Sequence, residues 1–266
     1  MDNKWLLAFT KAWELLISLP MPFQLCKHSE NNTDDDNEIL VACFPIVGAV
    51  IGLSLFIVAW AVTILLPVKI AASLIGGLLL AISAELLLSG GNILTLTAYF
   101  QARQSACSGF ETVTILDAAA NSKNPQVNQI YMLSLYLLKI ISISIFIYYD
   151  RIHWIIIVYT LSFLVRSQML YWNDIRTGEP FFEFKDDENN LNLPWIISAI
   201  ICFFVAGFSY LPASAIAMLI SYFLLKLIKK IIDKKIGGVS GSIISAAGTF
   251  SEIILFLAGL ALLIRE

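Results

Sequence analysis

The chain is short of charge. Of its 266 residues only 14% are Asp, Glu, Lys or Arg, against roughly 25% in an average soluble domain. The 17 basic and 20 acidic side chains leave a net charge of −3, which gives no positive field for a nucleic acid partner. Histidine is limited to His28 and His153, so a histidine-based metal or nucleophile site is not expected. The four cysteines, Cys26, Cys43, Cys107 and Cys202, stand far apart with no CxxC spacing. They read as packing residues, which excludes a disulfide framework or a zinc site. No GxxxxGK[ST], HExxH or GxSxG segment occurs.

What is abundant is apolar surface. Hydrophobic residues make up 58% of the chain, and mean hydropathy is +0.80. One water-soluble core cannot hide that much, so a bilayer must solvate part of it. The expected fold is an all-α polytopic membrane bundle, a single domain over residues 1–266. A spanning helix needs about 20 mostly apolar residues. Seven stretches qualify: 39–66, 68–89, 129–149, 153–172, 194–210, 212–228 and 243–264. Pro67 and Pro212 separate neighbouring spans, because proline ends or kinks a helix. Segment 4–20 is shorter and carries Lys4, Lys11 and Glu14. It reads as an amphipathic interfacial helix with Trp5 and Trp13 at headgroup depth, not as a signal peptide.

Seven spans put segments 1–38, 90–128, 173–193 and 229–242 on one side. Twelve of the lysines and arginines fall at that end, among them the run Lys226, Lys229, Lys230, Lys234 and Lys235. Only Lys69, Arg151 and Arg265 fall at the other. The positive-inside rule therefore places the N-terminus and all long connections in the cytoplasm, as in a bacterial inner membrane protein. The run over 226–235 reads first as a topological anchor near anionic lipid, with phosphate binding as a secondary role. The acidic segment 29–38 reads as a solvated loop, since it lacks the glycine and spacing of an EF-hand.

Ionisable groups at lipid depth are costly and mark a site or a paired contact. Four qualify: Glu85, Lys139, Arg166 and Glu252. Glu85 and Arg166 lie within about two turns of the cytoplasmic end, where a side chain can snorkel to water. Lys139 and Glu252 lie about halfway through their helices, and a Lys139–Glu252 pair across two helices is expected. Two glycine-bearing segments stand at cytoplasmic helix ends, Ser89-Gly90-Gly91-Asn92 and Gly237-Gly238-Val239-Ser240-Gly241-Ser242. The second precedes a helix N-terminus, whose free N–H groups suit a phosphate.

The order of these pieces resembles the cobalamin synthases, the adenosylcobinamide-GDP ribazoletransferases. Leu19-Pro20-Met21-Pro22 is similar to the family's Leu-Pro-Val-Pro, and Phe44-Pro45-Ile46-Val47-Gly48 with Gly52 to its Phe-Pro-x-x-Gly-x-x-x-Gly. Gly90-Gly91 stands where the family's signature begins. Lys139 and Arg166 fall where it tends to carry a membrane lysine and arginine. Gly237-Gly238-Val239-Ser240-Gly241, Ala246 and Glu252 fit its last motif. The resemblance covers most of the chain. It implies a transferase that joins adenosylcobinamide-GDP to α-ribazole or its phosphate and releases GMP, with Mg²⁺ held by aspartates. It further implies Gly90, Gly91, Gly237, Gly238, Ser240 and Gly241 as substrate contacts.

The departures fall where the metal chemistry belongs. The family's histidine is Ile93 here, and three aspartates spaced i, i+4 and i+7 are Thr95, Tyr99 and Ala102. A fourth aspartate is Ser242, and the family's Arg-Asp-Ser-Arg segment survives only as Asp117. Threonine, tyrosine and alanine cannot replace carboxylates on magnesium. Either the metal site has moved, to Asp117, Glu111 or the aspartates at 34–36, or the fold is kept and this reaction is lost. The weak catalytic candidates are Asp117, Lys139, Arg166 and Glu252, with no metal ligand assigned. The partners implied are the bilayer, a corrinoid or nucleotide ligand and, as an open option, a second copy of the chain. A non-catalytic binding paralogue and a small transporter with Lys139 and Glu252 as its polar site are the alternatives. The seven spans show no clear internal repeat, which counts against the last.

Overall fold

The computed structural model describes residues 4–17, 34–88, 92–105, 129–172, 192–207, 210–236 and 238–263, with Glu111, Val113, Thr114 and Leu116 between them. Among these residues the protein is helical. The helices are α1 (Lys4–Leu16), α2 (Asp34–Leu65), α3 (Lys69–Leu87), α4 (Asn92–Ser105), α5 (Gln129–Tyr148), α6 (Trp154–Met169), α7 (Leu193–Ala206), α8 (Leu211–Lys235) and α9 (Gly241–Leu263). Helix is what a bilayer demands, because each segment must satisfy its own backbone there.

Every one of the seven apolar stretches contains a helix. Five of these, in α2, α3, α5, α8 and α9, are long and apolar enough to cross a membrane. The other two, α6 with 16 residues and α7 with 14, are shorter. Pro212 sits in the first turn of α8, where a missing N–H costs nothing, and Gly207 closes α7 with φ +56°. Pro45 lies inside α2 without ending it. The basic run over 226–235 continues α8 as helix beyond the span expected for it.

The outward faces are apolar. Leu53, Ile57, Trp60 and Ile64 of α2, Leu74, Leu78 and Leu86 of α3, and Leu133, Leu137 and Ile141 of α5 are all exposed. Many serines and threonines are turned inward, where their hydroxyls return to backbone carbonyls one turn earlier. Thr160 Oγ1 donates to Ile156 O, Ser167 Oγ to Leu164 O and Ser251 Oγ to Ala247 O. A soluble domain has the opposite polarity, so this surface is compatible with a lipid bilayer. The protein is an all-helical membrane-type bundle.

The helix at the centre is α6, which α2, α9, α7 and α8 surround. All of its residues from Trp154 to Met169 are buried. Hydrophobic pressure between helices is weak in lipid, so close approach must come from small residues. Gly48 and Gly52 supply it on α2. A Cβ at Gly48 would lie 2.6 Å from Tyr159 O, and one at Gly52 2.6 Å from Ile156 Cα. The Gly-x-x-x-Gly spacing therefore brings the α2 backbone against that of α6. α3 meets α5 in the same way, with Gly76 facing Ile147 and Gly77 facing Ser144 and the Ile140 carbonyl.

α4 is an element the sequence reading leaves inside the 90–128 connection. Its apolar stretch, Ile93–Ala102, is too short to register as a span. Thr95 and Thr97 also mask it, although both are buried. Thr97 hides its polarity by donating to Ile93 O at 2.7 Å. α4 packs against α9 and α5. α1 is amphipathic as expected: Ala8, Ala12 and Leu16 are buried on the side that meets α2, and Trp5 and Leu15 are exposed.

Candidate functional site

The four ionisable residues singled out from depth alone belong to one cluster. Lys139, near the middle of α5, lies 2.8 Å from Glu252 Oε1 of α9 and 3.0 Å from Glu85 Oε1 of α3. Its side chain is 1% exposed, those of Glu252 and Glu85 1% and 9%. The contact with Glu85 is a hydrogen bond. The one with Glu252 is the shorter of the two. The Lys139 ammonium also stands 5.8 Å from the Tyr159 ring centroid. Charges taken out of water need this kind of compensation, since each alone costs several kcal/mol at this depth.

Arg166 completes the balance. It does not snorkel to water as its position near a helix end suggests; it is 3% exposed. The reason lies in α6, which is enclosed along its whole length and leaves the side chain no outward route. The guanidinium instead crosses onto α9 at Gly248, where a Cβ would fall on its Nε, and it stacks 4.7 Å from the Phe163 ring. Gly248 precedes Glu252 by one turn, and both Glu252 and Glu85 lie within Coulombic reach of Arg166. Two cations and two anions thus share one enclosed volume.

Glu85 has a second task that sequence reasoning missed. Its Oε2 accepts the backbone N–H of Ile93 at 3.2 Å. That N–H belongs to the first turn of α4, where no intrahelical acceptor exists. One carboxylate therefore holds the buried lysine and the start of α4 together.

The face of α4 that the resemblance would fill with aspartates carries Thr95, Tyr99 and Ala102. Thr95 Oγ1 meets Ser245 Oγ of α9 at 3.4 Å, and Ala102 is fully buried. Tyr99 lines an apolar cavity of ≈130 Å³ with Leu96, Phe100, Ile228, Ile231, Ile232, Ile243, Ala246, Ala247 and Phe250. No group of three or more His, Cys, Asp or Glu side chains among the described residues is placed to hold a metal ion. The described residues do not fit the Mg²⁺ that the resemblance implies.

The glycine-bearing helix ends are partly described. Ser240 is buried and caps α9, its Oγ accepting the Ile243 N–H at 3.4 Å. Gly241 has open space around its Cα, and Gly238 is buried. Gly90, Gly91, Gly237 and Asp117 lie outside the described residues, as do the side chains at 34–36. Glu111 is exposed.

Beyond the cluster, two sets of contacts mark opposite ends of the bundle. Lys69 and Asp150 pair at 2.7 Å, and Arg151 lies 4.6 Å over the Tyr210 ring. At the other end Ile17 bridges to Leu88, and Lys229 stands 5.8 Å over Trp172. No protein-family model matches the chain, and no curated protein or solved structure is significantly similar to it.

Proposed function

We propose that the chain is a cobalamin synthase-like protein of the bacterial inner membrane that has kept the fold's charged interior and lost its metal-dependent joining reaction, leaving a corrinoid- or nucleotide-binding role. The observation that carries this reading is the α4 face. Where the resemblance requires three carboxylates, Thr95 is bonded to Ser245, Ala102 is buried and Tyr99 lines an apolar cavity. Phosphoryl transfer depends on positioned charge, and this face offers none. Lys139, Arg166 and Glu252, which the resemblance also marks, form one cluster, and this supports reading the charged interior as kept.

Seven spans with the N-terminus and long connections in the cytoplasm are part of the same reading. The alternation of helix ends supports it, with Lys69, Asp150, Arg151 and Tyr210 gathered at one end and the lysines of α8 at the other. The glycine-bearing segments Gly90-Gly91 and Gly237–Gly241, at that basic end, are the proposed contacts for a phosphate-bearing ligand.

The test is direct. Protein in lipid nanodiscs receives adenosylcobinamide-GDP, α-ribazole and Mg²⁺. Retention of the coloured corrinoid without cobalamin is expected. Cobalamin formation abolished by Asp117→Ala would show a relocated active site and overturn the loss; no retention at all would remove the binding role.

A further inference from the structure

The ≈130 Å³ cavity between α4, α8 and α9 is lined almost wholly by apolar surface, with Tyr99 its one residue that carries a polar group. A dry cavity of this order accepts hydrocarbon, as an engineered one of roughly 150 Å³ accepts benzene. Its depth is fixed by its lining. Ile243 lies in the first turn of α9 and Phe250 about two turns further in, a run of roughly 10 Å at 1.5 Å per residue. The cavity therefore extends along α9 from its first turn at the basic end of the bundle towards the interior.

The same end carries the charge. The last ten residues of α8, Lys226 to Lys235, hold five lysines against Asp233. Lys226 is engaged over the Tyr222 ring at 4.5 Å and Lys229 over Trp172. Lys230 and Lys234 are exposed, and no ion pair or ring contact engages them among the described residues. They stand one helical turn apart, and Lys234 follows the cavity residue Ile231 by three positions, next to it on the helix surface. Trp172, held by Lys229, and Trp195 of α7, which meets Tyr222, lie at this end, where tryptophan marks headgroup level. Apolar volume below that level and unengaged ammonium groups at it match one amphiphile.

We propose that this cavity takes part of one acyl chain of an anionic phospholipid from the surrounding leaflet, with the lipid phosphate held by Lys230 and Lys234. The site does not depend on the cobalamin synthase reading, because neither the corrinoid nor a nucleotide enters the argument.

The full chain, purified in a mild detergent, is titrated with dioleoyl phosphatidylglycerol and with dioleoyl phosphatidylcholine, and bound lipid is counted by native mass spectrometry. The anionic lipid is expected to bind the more tightly. Lys230→Gln with Lys234→Gln should weaken it about 25-fold, at about fivefold per lysine near a charged surface, and weaken the zwitterionic lipid, whose choline already offsets the phosphate, much less. These two side chains are exposed, so folding is not at issue. Ala247→Phe, which fills the cavity, should reduce binding of both lipids; its unfolding temperature separates this from misfolding. Equal binding of the two lipids, or a double glutamine variant with undiminished preference, overturns the headgroup assignment. Undiminished binding by a folded Ala247→Phe protein overturns the chain assignment, and would mean that the cavity has another occupant.

Discussion

The Lys139 ammonium lies 2.8 Å from the Glu252 carboxylate and joins the middles of α5 and α9 across the bundle. Two residues 113 positions apart, neither able to stay charged alone in that environment, therefore set how their helices face each other.

Removing the cation should be the most damaging single change at the cluster. Lys139→Met leaves two carboxylates buried near each other, and breaking a buried pair costs roughly 3–5 kcal/mol. Adding Glu252→Gln and Glu85→Gln to that variant should recover much of the loss, read as unfolding temperature in detergent. An exchange, Lys139→Glu with Glu252→Lys, should recover only part. Glu85 would then face a carboxylate at 139, so the third partner decides the outcome.

Glu85→Ala should loosen α4 selectively. The Ile93 N–H would lose its acceptor, which costs about 1–3 kcal/mol for a buried donor. Hydrogen exchange over residues 93–102 should rise while exchange in α6 stays slow. Glu85→Gln keeps an oxygen for Ile93 and should show a smaller rise. Equal protection in wild type and the alanine variant would mean that packing on α9 alone holds α4.

At the α2–α6 contact, Gly48→Ala and Gly52→Ala each push a methyl group against backbone atoms that cannot rotate away. Overpacking of this kind costs roughly 1–3 kcal/mol. Gly241→Ala, where nothing stands within 4 Å, is the control and should leave the unfolding temperature almost unchanged.

Gly248→Ala and Arg166→Met should be strongly non-additive. Alanine at 248 displaces the guanidinium, so its effect depends on the arginine being there. A double-mutant cycle should give a coupling of about 0.5–3 kcal/mol, and additive effects would show that the two do not share their space.

Much of this was legible in the sequence because lipid amplifies certain signals. Proline at 212, glycines at 48 and 52, and four charges at depth are each costly without a partner, so each announced one. The Lys139–Glu252 pair is present as expected. For Arg166 the sequence left a route to water open beside a buried contact, because its place near a helix end says nothing about what encloses α6. Glu85 was read as near the surface, and its side chain is turned in towards Lys139 and Ile93. α4 was missed because Thr95 and Thr97 count as polar in a sequence even when their hydroxyls are bonded internally. Which helix lies at the centre was not readable either, since α6 is no more apolar than α2 or α9.

That enclosure of α6 bears on the order in which the chain assembles. A segment with Thr160, Ser162, Arg166, Ser167 and Gln168 on it is a poor guest for lipid by itself. Its most extensive neighbour, α2, lies upstream and is already made when α6 emerges from the ribosome. α9, which supplies the carboxylate within reach of Arg166, is made after α6 and the two helices that follow it. Biogenesis therefore passes through a stage in which α2 shelters a helix whose charge is still waiting for its counterpart, and a chain truncated before α9 should be retained by the insertion machinery or degraded.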